Sequence, residues 1–218
     1  ICYDFDGNIL CDISLSMYFK RAPVVAAADN SKPILVVGTH STRVTIFEFT
    51  EDLKTLVKRT RIDGFSDGFT GITFSNGNIY CAGRNDGNVT IISTIDDEWK
   101  IKSSYLLPSG SKTVIGISSC ENRIIVGAQS KDGVLFYDIL SQTAVGLIQM
   151  GKTRLRTFFN VLNDAENNIA VAWWDVSELN MSNVTAVNGS IIGPSFHGLR
   201  GLCAAKIGDM VLTGSYDR

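Results

Sequence analysis

Three stretches of the chain share one order of apolar and polar positions: ILVVGTHSTRVTIFEF (34–49), IYCAGRNDGNVTIIST (79–94) and IIVGAQSKDGVLFYDI (124–139). Each is an apolar run ending in small residues, then a polar turn, then a second run rich in β-branched and aromatic residues. That pattern predicts a hairpin of two strands. NIAVAWWD (168–175) and MVLTGSYDR (210–218) continue the series. The pivots Gly38, Gly83, Gly127, Ala172 and Gly214 are separated by 45, 44, 45 and 42 residues. A strand-rich unit recurring at that period is expected to be one four-stranded blade of a β-propeller.

The rest of each unit fits the same plan. Upstream of each pivot lies another apolar run: VVAAA (24–28), TGITF (70–74), VIGIS (114–118), TFFNV (157–161) and GLCAA (201–205). Asn-, Asp- and Gly-rich turns join it to the next strand. Its small side chains suit inner strands crowded around an axis. A fourth run of mixed polarity follows the hairpin, as in LKTLVKRTRI, EWKIKSSYL and TAVGLIQM. Mixed polarity suits an outer edge with one face in water. Helical periodicity is nowhere sustained. The fold expected is all-β, with about five blades in a single domain over residues 1–218, or a piece of a longer chain such as a seven-bladed propeller.

These repeats resemble degenerate WD-repeat blades, and the fullest copy runs from His197-Gly198-Leu199-Arg200-Gly201 to Thr213-Gly214-Ser215-Tyr216-Asp217-Arg218. The resemblance implies that His197, before the inner strand, and Asp217, in the turn between second and third strands, tie that blade together. Asp86 and Asp132 match the turn aspartate in two other blades, where the partner histidine is missing. Tyr137-Asp138 stands where the family's Trp-Asp would end the third strand. The resemblance spans nearly the whole chain, although residues 176–194 show no clear hairpin after Trp173-Trp174.

Two motifs invite other readings. The opening ICYDFDGNIL resembles the DxDGT signature of haloacid-dehalogenase-type phosphohydrolases, which implies Asp4 as nucleophile, Asp6 as acid/base and Mg²⁺ on the phosphate. That chemistry also needs alternating strands and helices, a downstream Lys and a GDxxxD motif. Asn8 replaces the expected Thr, and Gly208-Asp209 is followed by MVLT. Ile1–Asp4 aligns instead with Leu135–Asp138, the end of a third strand, so Asp6-Gly7 becomes a turn. On this reading the two chain ends share one blade. The second motif, Gly146-LIQM-Gly151-Lys152-Thr153, satisfies GxxxxGK[ST], but its apolar middle reads as an outer strand rather than a phosphate cradle leading into a helix.

Bulk properties add little until charge is placed on the repeat. With 44% apolar and 19% charged residues, the chain has an ordinary globular composition, and no apolar run approaches a membrane span. Five scattered cysteines without a CxxC pair predict small buried hydrophobes in a reducing compartment. Four N-x-S/T sequons stand against about two expected by chance from composition, which is weak support for secretion. Net charge is −2. In a propeller, however, the loops joining fourth to first and second to third strands share one rim. That rim would carry Lys20, Arg21, Arg43, Arg84, Lys112, Lys131, Lys152, Arg154, Arg200 and Arg218, against Asp63, Asp67, Asp86, Asp132 and Asp217. The opposite rim would be acidic, with Glu51, Asp52, Asp96, Asp97 and Glu98 among its residues. Such separation steers charged partners although the total is near neutral.

The function expected is therefore a non-catalytic scaffold that docks a protein or RNA partner on Arg43, Arg84, Lys131, Lys152, Arg154 and Arg200. WD-repeat resemblance implies an assembly platform. The degenerate repeats with a basic rim further resemble propeller subunits that position tRNA for a ribose 2′-O-methyltransferase, implying a methyltransferase subunit and tRNA as partners. No metal, cofactor, small-molecule substrate or membrane contact is expected, and the location expected is the cytoplasm, with the nucleus as alternative. The competing class is an enzyme, either the Mg²⁺ phosphohydrolase above or a propeller glycosidase. A glycosidase would need acids on inner strands, and the inner runs contain none.

Overall fold

A computed structural model describes residues 2–3, 9–11, 23–28, 33–39, 42–52, 54–108, 113–120, 123–130, 133–149, 160–163, 169–175, 178–183, 201–207 and 210–215. Three complete four-stranded antiparallel sheets lie in sequence. After the short strands β1 (Cys2–Tyr3) and β2 (Ile9–Cys11), the first blade is β3 (Pro23–Ala28), β4 (Ile34–Thr39), β5 (Arg43–Phe49) and β6 (Leu56–Asp63). The second is β7 (Phe69–Ser75), β8 (Asn78–Gly83), β9 (Asn88–Ile95) and β10 (Glu98–Leu106). The third is β11 (Val114–Cys120), β12 (Arg123–Gln129), β13 (Gly133–Asp138) and β14 (Thr143–Gln149). A three-stranded sheet, β15 (Asn160–Asn163), β16 (Ile169–Asp175) and β17 (Glu178–Asn183), and a hairpin, β18 (Gly201–Ile207) with β19 (Met210–Ser215), follow.

The inner strands β3, β7, β11, β15 and β18 lie side by side in chain order, as blades around an axis require. Contact between them is close. The Thr70 hydroxyl donates to the Val114 carbonyl of the next blade at 3.1 Å, and Thr73 and Ser119 share a hydroxyl–hydroxyl bond of 2.7 Å. A Cβ on Gly71 would lie 2.8 Å from Ile117 Cγ2. The small residues read from the sequence at inner positions thus set the distance between blades.

Each seam between blades is filled by alternating side chains. Val36, Val44, Ile46 and Ile62 of the first blade meet Phe69, Ile72, Ile79 and Ile92 of the second. Tyr80, Ala82 and Val89 meet Val114, Ile117, Ile124 and Val126 across the next seam. Second strands are therefore buried on both faces, which explains their unbroken apolar runs. Gly38 is required by this packing: a Cβ there would sit 2.9 Å from Val25 and 3.0 Å from both Ile72 and Phe69.

Two irregularities recur that the apolar pattern does not reveal. At the start of β3, β7, β11 and β18 the register slips by one residue, leaving Val24, Thr70, Ile115 and Leu202 without an opposite number. In the outer strands the same happens at Arg59, Lys102 and Val145, opposite 46/47, 91/92 and 136/137. Such bulges add twist and blunt an edge.

The region after Trp173-Trp174 differs from expectation. β16 pairs with β17 from Asp175↔Glu178 to Ala170↔Asn183, so a hairpin is present. The polar run ELNMSN has no strand signature of its own, and pairing with the apolar β16 supplies what local preference lacks. At the chain ends, β1 pairs antiparallel with β2, and β18 with β19, and no ladder joining the two pairs is among the described residues. Asp4 and Asp6 fall in the connection between β1 and β2, outside the described residues. Every ladder among the described residues is antiparallel, so the α/β scaffold that the phosphohydrolase reading needs is not the fold of this chain. Gly146 lies within β14 opposite Phe136, which places the first half of the GxxxxGKT match in an outer strand.

A candidate docking rim

The second blade shows how the rim is built. Its inner strand is preceded by the loop 64–68, and its second and third strands are joined by the turn 84–87. Two aspartates lock these segments together. Asp67 accepts from the Gly68 amide at 2.7 Å and from the Asn85 amide at 2.8 Å. Asp86 accepts from the Asn88 amide at 2.9 Å and from the Ser66 hydroxyl. A Cβ on Gly83 would overlap the Asp86 carboxylate, so the pivot glycine here makes room for the turn. Ser66 precedes Asp86 by the same twenty residues that separate His197 from Asp217. It occupies the place of the missing histidine and supplies a donor to the aspartate. In the sequence that place reads as empty and Asp67 reads as free acidic charge; the twenty-residue interval is the signal that points to Ser66.

Arg84 sits on this braced turn. Its amide donates to the Gly68 carbonyl at 2.8 Å, and its carbonyl accepts from Val114 of the third blade at 3.1 Å. The side chain is exposed and forms no ion pair among the described residues. Arg43 begins β5 and differs: it lies 3.5 Å from Asp63 on the paired strand β6, and Asp63 also holds Arg61 at 3.1 Å. Asp63 thus offsets part of the positive charge predicted at Arg43. The candidates Lys131, Lys152, Arg154 and Arg200, and the structural residues His197, Asp132 and Asp217, lie outside the described residues.

The opposite rim is acidic at neutral pH where it is described. Asp96 and Asp97 form the β9–β10 turn with φ of 51° and 62°, a left-handed pair that short polar side chains tolerate. Both are exposed. The Thr50 hydroxyl, helped by the Lys54 amide, holds the Asp52 carboxyl below its ordinary range. Lys100 does the same for Glu98. At the end of the third strand in the third blade, Tyr137 and Asp138 are buried; the Tyr137 hydroxyl donates to the Pro108 carbonyl at 3.3 Å, and Asp138 accepts from Leu140 at 3.0 Å. Tyr137 thus ties the third blade to the connection that leads into it, and Asp138 holds the turn after β13. Among the described residues no three His, Cys, Asp or Glu side chains stand together as a metal site would require.

This architecture is a β-propeller: four-stranded antiparallel blades follow one another with their inner strands side by side. Among solved structures, Sqt1 of Saccharomyces cerevisiae superposes with a TM-score of 0.56 at 13% identity over 77% of this chain and 46% of its own. U3-55K superposes with a TM-score of 0.62 at 12% identity over 90% of this chain and 61% of its own. The chain therefore spans roughly half to three-fifths of the length of these structures. No protein-family model and no curated protein sequence matches. At such identities the likeness defines the fold and leaves function to be argued from the surface.

Proposed function

We propose that this propeller is a non-catalytic scaffold that docks an anionic partner on its basic rim, and that the partner is RNA, with the chain acting as the tRNA-positioning subunit of a tRNA 2′-O-methyltransferase in the cytoplasm. The observation that carries the reading is Arg84: a cation without an ion-pair partner among the described residues, held on a turn whose backbone is bonded both to its own blade and to the next. A turn braced this way gives up little backbone freedom when its side chain meets a phosphate. Arg43, Lys131, Lys152, Arg154 and Arg200 extend the contact around the rim, and the acidic opposite rim orients the approach. Asp86 with Ser66 braces the described part of the face, and the WD-repeat resemblance would give Asp132, and His197 with Asp217, the same task in other blades.

Affinity capture of the full-length protein with and without RNase tests this reading. A methyltransferase and tRNA are expected in the untreated sample, with tRNA lost after RNase. Arg84→Glu with Lys152→Glu should abolish tRNA recovery. Undiminished recovery by that variant, or a partner set unchanged by RNase and free of RNA, would overturn it in favour of an acidic protein surface.

A further inference from the structure

The strands β6, β10 and β14 form the outer edges of the three complete blades, and each has its bulge at the same place in the repeat. The residues left without an opposite number, Arg59, Lys102 and Val145, are 43 residues apart. Two blades put an exposed cation there and add further exposed charge along the strand: Lys58, Arg61 and Asp63 in β6, Glu98 and Lys100 in β10. A bulge combined with edge charge is the usual guard against strand addition.

The third blade keeps the bulge and lacks the charge. Its outer strand reads TAVGLIQ, with valine at the bulge, and residues 139–151 include no charged side chain. Thr143 and Ala144 are exposed, Val145 and Leu147 are half-buried, and Leu140, in the turn that leads into the strand, is 45% exposed. Past the bulge, residues 146–149 run in regular register against 133–136. Among the described residues no strand lies beyond them.

We infer that β14 pairs with β14 of a second copy of this chain, antiparallel about a two-fold axis, with residues 146–149 as the shared ladder. The two third blades then form one continuous sheet of eight strands. In such a pairing a strand meets itself, so any charge it carries is set close to its own copy. β6 and β10 would bring cations against cations, whereas β14 brings none. Outer strands end their sheets on the side away from the inner strands, so no other blade of the same chain stands in the way. Antiparallel pairing also inverts the second copy. The end of each propeller that carries Arg84 then lies at the same end of the dimer as Asp96 and Asp97 of the other, unlike charges that favour a second copy over an unrelated strand. Neither rim takes part in the ladder.

Sedimentation equilibrium of the full-length protein tests this, over about 1 to 200 µM as a small contact requires. The average mass is expected to rise from that of one chain toward that of two, and no further. Val145→Lys gives β14 the cation that its sister strands carry at the same position, and should raise the dimer dissociation constant by about tenfold or more. Lys102→Glu on another outer edge should leave the dimer unchanged. So should Arg84→Glu, which separates this contact from the proposed function. Hydrogen exchange needs no variant: amides of β14 should slow as concentration rises, while those of β10 stay constant. A single chain at every concentration, with β14 exchange constant, would overturn the inference and leave that edge to a strand from another protein. Growth beyond two chains, a dimer indifferent to Val145→Lys, or one dissolved by Lys102→Glu would also overturn it. Unchanged circular dichroism of Val145→Lys, at a position where the fold already accepts Arg59 and Lys102, keeps loss of folding out of the comparison.

Discussion

The Ser66 hydroxyl donates to the Asp86 carboxylate across the loop and turn of the second blade. This bond does the work that the WD-repeat pattern assigns to a histidine, with a side chain too small to be recognised as its substitute. The second blade therefore makes this connection with a serine hydroxyl as the donor. Because Asp86 also accepts the Asn88 amide, the carboxylate ties three segments of the blade.

Removing either partner should loosen that blade. Ser66→Ala is expected to cost about 1 kcal/mol, as for an exposed hydrogen bond to a charged group. Asp86→Ala should cost more, since the Asn88 amide also loses its acceptor. In an Asp86→Ala background, Ser66→Ala should cost almost nothing further. Urea titration of the four proteins measures this, and additive losses would show that the two residues act separately.

Inner strands should tolerate no added bulk where blades meet. Gly71→Ala places a Cβ 2.8 Å from Ile117 Cγ2 and 3.3 Å from the Ile117 amide nitrogen. A destabilisation of about 1–3 kcal/mol is expected, and less in an Ile117→Ala background where the methyl is gone. Were Gly71 away from the next blade, alanine would instead stabilise by about 0.4–1 kcal/mol through the unfolded chain. Thermal melts distinguish the two signs.

Stability should fall at alkaline pH through Cys81. Burial pushes its thiol well above the ordinary value of 9.0, so the folded chain keeps a proton that the unfolded chain releases. A raised folded value means the contribution is complete below about pH 9 and is lost as pH rises, by up to about 1.4 kcal/mol per pH unit. Cys81→Ala should flatten the decline between pH 9 and 10.5 in denaturant titrations. An unchanged slope would place the alkaline sensitivity elsewhere.

Much of this fold was legible because a propeller repeats one unit. The pivots, the buried second strands and the Asn76-Gly77 turn, with φ of 48° and 72°, follow from local chemistry that recurs every 42 to 45 residues. What was not legible depends on register. The bulges at Thr70, Arg59 and Lys102 arise from how strands are offset, and no side chain announces them. The partner of Arg43 was hidden for the same reason, since Asp63 reaches it only through the β5–β6 pairing. β17 was missed because ELNMSN is a strand by its neighbour's preference rather than its own.

The proposed role rests on a cationic rim that meets RNA through its phosphates. The most direct measurement is the salt dependence of labelled tRNA binding, compared between the full-length protein and its Arg84→Glu, Lys152→Glu variant. A linear fall of log affinity with log salt concentration is predicted. In the variant, binding should be weaker and the slope shallower by about 1–2, one step for each phosphate that no longer meets a cation. Equal slopes and equal affinities for the two proteins would contradict a phosphate-binding rim.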